Sequence, residues 1–195
     1  MVMDYLNGND NHDIAFMRSA VDSWLEFRAN VCKLYFDRLA VRAHEAGLQA
    51  GAFVFAPSLW RFVGQIAKSC RALDVVAPML YRAYPHKEGP ACLNHEWAAF
   101  HTLLKNAPDG AEKAARLLFD TPLLGGENPM QGFSPAEIGA EVAAARAVSD
   151  KHIRLLPILQ TEDASLAEVA KAVLNAKADG YGEFMYSQKK ILNIS

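Results

Sequence analysis

The sequence predicts a single α/β domain in which four parallel strands alternate with helices, with a long helical insertion after the second strand. Three observations predict it. Short runs that are apolar on both faces read as strands covered on both sides. The stretches between them repeat apolar residues at three- and four-residue spacing, as helices with one buried face do. Glycine, proline and capping residues mark the boundaries. Such alternation implies parallel strands joined by right-handed crossovers.

A leading helix is expected from about Asp13 to Glu45 within residues 1–47. Ile14, Met17, Val21, Trp24, Val31, Leu34, Tyr35 and Leu39 are expected to form its buried face. Gly47 stands where a left-handed terminating residue belongs. Residues 48–84 hold the first two strands. Ala50 to Ala56 is the first, stopped by Pro57, and Val75 to Tyr81 is the second. The helix between them is expected to turn Leu59, Phe62, Val63, Ile66, Cys70 and Leu73 inward. Pro78 removes a ladder donor, so the second strand must be short, bulged or locally unpaired there.

Residues 85–151 read as a helical elaboration. Asn94 is a candidate cap for a helix through Trp97, Phe100 and Leu104, and Asp109 to Glu112 has capping-box spacing. Ser134-Pro135-Ala136-Glu137 is a better capping box, with proline at the first helical position. Residues 152–188 hold the last two strands: Ile153 to Leu159, interrupted by Pro157, and Tyr181 to Tyr186. The helix between them opens on a third capping box, Ser165 to Glu168.

Composition narrows the function. A net charge of -2, from 20 basic and 22 acidic residues, comes with no basic stripe and argues against nucleic acid or an anionic membrane as partner. No apolar run approaches the roughly 20 residues of a membrane helix, and no secretory leader is expected. Cys32, Cys70 and Cys92 are odd in number and widely spaced, which favours free thiols in a reducing cytoplasm. His86, His95 and His101 lie near Cys92, Glu88 and Glu96 but lack metal-ligand spacing, so neither a metal nor a cofactor is expected. Glycine-rich phosphate loops and a Gly-x-Ser-x-Gly elbow are absent as well.

In parallel α/β folds the functional site lies beyond the carboxyl ends of the strands. The residues expected there are Ser58 and Trp60; Met79, Tyr81, Arg82 and Tyr84; Gln160, Thr161 and Glu162; and Glu183, Tyr186, Ser187 and Gln188. Aromatics that stack on sugar rings, and amides and charges that pair with hydroxyls, suit a carbohydrate ligand. The same aromatics equally serve packing, and a strand-end arginine such as Arg82 otherwise needs a buried partner. Glycoside hydrolysis requires two carboxyl groups. Glu162 and Glu183 are the candidates, although each has a structural alternative in capping, solvation or burial.

Asp74-Val-Val-Ala-Pro-Met-Leu-Tyr81 resembles the sixth strand of sugar-cleaving (β/α)8 barrels, in which an Asp enters a strand ending in Met-x-Tyr, as in chitinase-like enzymes. Phe53 to Pro57 is similar to the fifth strand, Leu155 to Gln160 to the seventh and Gly182 to Tyr186 to the eighth. The resemblance spans most of residues 48–188. It implies the C-terminal half of a TIM barrel of glycoside hydrolase type, with Met79 and Tyr81 lining a sugar pocket, Gln160 offering its amide to a hydroxyl and Glu162 near a nucleophile position. A half barrel needs either a complementary N-terminal half or a homo-oligomeric copy of itself. The competing readings are a non-catalytic α/β module that binds a sugar or a protein, and a barrel aldolase or isomerase.

Overall fold

The computed structural model describes residues 14–83, 93–104 and 129–184. Helix α1 (Ile14–Glu45) leads into strand β1 (Gly51–Val54). A 3₁₀ turn (Pro57–Leu59), α2 (Trp60–Val63) and α3 (Ala67–Cys70) connect it to β2 (Val75–Pro78). Helices α4 (Leu93–Leu104) and α5 (Pro135–Val148) follow, then β3 (Arg154–Leu155), β4 (Ile158–Gln160), α6 (Leu166–Asn175) and β5 (Gly182–Phe184).

Every strand pairing is parallel. The strands form two small sheets, β1-β2-β3 and β4-β5, joined by a parallel bridge between Met79 and Ile158. The split falls at two prolines. Leu80 donates its N–H to Ile158 O at 2.9 Å, so alternate residues of β2 face β4, and Pro78 has no N–H to give on that side. Pro157 interrupts the third predicted strand between β3 and β4, and the donor it lacks lies on the side that faces β5. The described strands do not close into a barrel.

One face of the sheets is covered by helices. Val54, Val76, Leu80, Leu155 and Leu159 share a core with Phe36 and Ala40 of α1, Trp60 of α2, Cys70 of α3, Trp97 of α4, Ile138, Val142 and Ala145 of α5, and Val169 and Val173 of α6. The register places Phe53 beside Ala77, Met79 beside Ile158 and Gln160 beside Phe184 on the opposite face. None of the described helices packs there, and Phe53 is 68% exposed.

Several expectations are corrected. The face that α1 buries is Leu25, Ala29, Phe36 and Ala40, whereas Trp24, Val31, Leu34, Tyr35 and Leu39 are exposed. Ala29 lies against Gly64 and Ser69, where a small residue lets α1 approach the α2–α3 segment closely, so bulk alone does not identify the inner stripe. Phe62 is exposed rather than inward, since the helix after β1 breaks at Gly64 into two short pieces. Asn94 lies within the first turn of α4, fully buried, and is not its cap. Ser165 makes no side-chain cap at α6; its N–H instead donates to Asp163 Oδ1 at 2.9 Å. The Ser134–Glu137 capping box forms in full, while the Asp109 box lies outside the described residues.

Gly64 sets the seating of α1. Its φ is +81°, and a Cβ there would lie 2.8 Å from the Arg28 carbonyl. Ser69 Oγ lies 2.9 Å from both Ala29 O and Gly64 O, and can donate to either. Gly47 has a similar φ of +71° but open space around it. Gly64→Ala is therefore expected to cost about 2 kcal/mol or more, through strain and a backbone clash, and Gly47→Ala about 1 kcal/mol through strain alone. Urea unfolding of both variants checks the difference; equal losses would show that α1 does not depend on the close approach at Gly64.

Candidate functional site

The carboxyl ends of β2, β4 and β5 converge, and an ion pair brings them together. Arg82, just past β2, donates from Nε to Asp163 Oδ2 at 2.5 Å and from Nη2 to Asp163 Oδ1 at 2.7 Å. Its Nη1 donates to Phe133 O at 2.6 Å, and Phe133 N donates back to Arg82 O at 3.1 Å. The side chains are 15% and 5% exposed, so this fork-to-fork pair works in a poorly hydrated setting.

Tyr81 precedes the clamp on the helix-free face. Its ring stacks on Phe184 with centroids 5.3 Å apart and planes inclined by 29°. Met79 and Ile158 pack with them in a small apolar cluster separate from the main core. Gln160 shares this face by its register with Phe184. It is 6% exposed, and its Oε1 is buried without a hydrogen-bond partner. Thr161 N–H donates to Phe184 O at 3.0 Å, fixing the end of β4 against β5.

The structure thus brings Met79, Tyr81 and Gln160 onto one face and places Arg82 beside them as part of the clamp. The arginine has the buried partner that the alternative reading required. Glu162 is exposed in the turn after β4. Glu183 is exposed and pairs in register with Leu159, which puts it on the helix-covered face and not with Gln160. Trp60 is also elsewhere, buried in the main core with its indole N–H donated to Phe55 O at 2.6 Å. Tyr84, Tyr186, Ser187 and Gln188 lie outside the described residues. Sequence reasoning missed Asp163 and Phe184. The adjacent acids Glu162 and Asp163 were the available signal for the first, with the choice between them depending on which turned inward.

A second polar group sits behind β1. Glu141 of α5 is buried, and its Oε2 accepts the Ser58 N–H at 2.8 Å, capping the turn that follows β1. Burial raises the pKa of Glu141, and the Ser58 N–H and nearby hydroxyl oppose that rise. The hydroxyl is close enough to favour the charged carboxylate but lies outside hydrogen-bond geometry. Burial pushes the Cys70 thiol up to about 12, with Cys32 adding to the effect, so Cys70 is no nucleophile at neutral pH. Among the described residues, no three His, Cys, Asp or Glu side chains gather in a metal-ligand group. No described helix is long and apolar enough to cross a membrane. A cavity of about 270 Å³ lies between α1 and the α2–α3 segment, lined by Asp22, Leu25, Ala29, Arg61 and Ser69, away from the strand ends.

Comparison of the chain with protein-family models, curated proteins and solved structures finds no match.

Glu141 makes a pH-dependent contribution of known sign. The fold holds its proton more tightly than the unfolded chain does, so the contribution is most favourable below the ordinary carboxylate range. It is lost as pH rises through the raised pKa. Each tenfold tightening of that proton costs the fold about 1.4 kcal/mol at neutral pH. Glu141→Gln keeps an acceptor for Ser58 N–H and is expected to raise the melting temperature at pH 7.5, with the gain shrinking toward pH 4. A gain that is independent of pH would assign the effect to packing.

Proposed function

We propose that this chain forms the C-terminal half of a (β/α)8 barrel of glycoside hydrolase type, and that it binds carbohydrate on the helix-free face at the strand ends. The observation that carries the reading is the one-sided architecture. Parallel strands follow one another in chain order, and all the described helices lie on one face, whereas a doubly wound sheet has helices on both. Closure of such a sheet takes eight strands, so the site is complete only with a complementary half or a second copy.

The chemistry of the helix-free face supports a sugar ligand. The Tyr81–Phe184 pair and Met79 provide an apolar and aromatic wall. Gln160 Oε1 is a buried acceptor without a donor, a costly arrangement that a ligand hydroxyl would relieve. Glu162 leaves β4 two residues beyond Gln160 and is the carboxylate we assign to any hydrolytic step. The partner half would then supply the second carboxylate that the reaction needs. We assign Glu183 no catalytic role, because of the face it occupies. Binding without turnover is the second reading, and it is favoured by the exposure of Glu162 and by the engagement of its neighbour Asp163 with Arg82.

Titration with β-linked glucose and N-acetylglucosamine oligosaccharides, followed by calorimetry and thermal shift, tests the proposal. Saccharide binding is expected to stabilise the fold. Gln160→Leu should weaken it about tenfold, roughly 1.4 kcal/mol, without loss of stability. Glu162→Gln should retain binding and abolish any turnover. If Gln160→Leu stabilises the chain and leaves saccharide affinity unchanged, the amide serves no ligand and the reading falls.

A further inference from the structure

Helix α1 carries an apolar stripe that the fold leaves exposed. Trp24 is 47% exposed, Phe27 65% and Tyr35 65%, and Val31, Leu34 and Val41 are each about half exposed. Trp24, Phe27, Val31, Leu34, Arg38 and Val41 recur at alternating three- and four-residue spacing, which is the seam of a helix that packs along another helix. The stripe is distinct from the buried set of Leu25, Ala29, Phe36 and Ala40, the side on which α1 meets the α2–α3 segment and the core. We infer that it is the docking surface for a second copy of this chain, with the two α1 helices packed antiparallel.

Two arguments point to a second copy. The first is area. Scaling the roughly 150–250 Å² of an aromatic side chain by the observed exposures gives roughly 350 Å² for Trp24, Phe27 and Tyr35 alone. That already lies within the roughly 300–600 Å² of the largest patch on an ordinary monomer, before the aliphatic residues are added. Pairing two complete stripes buries roughly 1,100 Å², just above the ~1,000 Å² that a specific interface must clear.

The second is self-complementarity. A parallel pair would set Arg38 against its own copy at a seam position, an unpaired like-charge contact. An antiparallel pair centred between Val31 and Leu34 sets Val31 across from the partner's Leu34 and Trp24 across from the partner's Val41. It also sets Phe27 across from the partner's Arg38, where a guanidinium over an aromatic face is attractive. Arg28 already makes this contact within the chain, its Cζ 4.8 Å from the Trp24 ring centroid. A two-fold axis through the centre of the stripe satisfies both copies with the same contacts.

Sedimentation or light scattering across micromolar concentrations is expected to show a reversible dimer. Leu34→Glu should give a monomer with the circular dichroism and melting profile of the core retained, since Leu34 is outside that core. Val148→Glu, at an exposed position on α5, should remain dimeric. Arg38→Glu should loosen the dimer, because the cation over the partner's Phe27 becomes an anion. A monodisperse wild-type monomer at 100 μM, a dimer that survives Leu34→Glu, or equal loss of dimer in Val148→Glu would each overturn the inference.

Discussion

The structure depends on a charged pair placed across a broken ladder. Pro78 deletes a hydrogen-bond donor where β2 meets β4, and Pro157 deletes one on the side that faces β5, so that among the described residues one bridge, Met79–Ile158, pairs β2 with the second sheet. Arg82 and Asp163 span the same seam at the carboxyl ends of β2 and β4, with both forks engaged and a third guanidinium bond to Phe133 O. At the other end of the strands, Asp179 accepts the Leu155 N–H and is paired with Arg146, which also donates to Lys177 O and Ile153 O. Pro78 weakens the seam in its middle, and side-chain pairs secure both ends.

This arrangement has a consequence for function. With the strand ends held by charge rather than by a continuous ladder, Tyr81 and Phe184 come from different sheets yet stack on one another. Their cluster is small and separate from the helix-covered core, which holds the large fully buried side chains Leu73, Ile138, Leu155 and Leu159. The main core and the face on which we propose that a ligand binds thus lie on opposite sides of the sheets.

Much of the fold was legible from sequence. The strand positions, their parallel sense, the turn at Gly47 and the Ser134–Glu137 capping box each follow from local rules that tertiary contacts do not override. The awkwardness of Pro78 was legible too, and the split sheet is its outcome. The inner face of α1 was not, because apolar residues occur on two sides of that helix and only packing against the α2–α3 segment and the core selects between them; the small residues Ala29 and Ala40 lie inside and the larger Trp24 and Tyr35 outside. Of the candidate site, Met79, Tyr81 and Gln160 were found on the expected face. Glu183 lies on the other face because the parallel register sets it opposite Leu159, and a one-residue slip of that register would reverse its side. Asp163 was passed over because exposure separates it from Glu162, and nothing in the sequence reports exposure at that resolution.

At the candidate site the Arg82–Asp163 pair, rather than the interrupted ladder, joins the two sheets. A double-mutant cycle with Arg82→Ala, Asp163→Ala and the combined variant, followed by urea unfolding, measures their coupling directly. The expected coupling is about 2 kcal/mol or more, beyond the ~1 kcal/mol typical of exposed pairs, with either single substitution costing nearly as much as both. Single losses that add to the combined loss within about 0.5 kcal/mol would contradict it, and would return the joining of the sheets to packing and backbone hydrogen bonds alone.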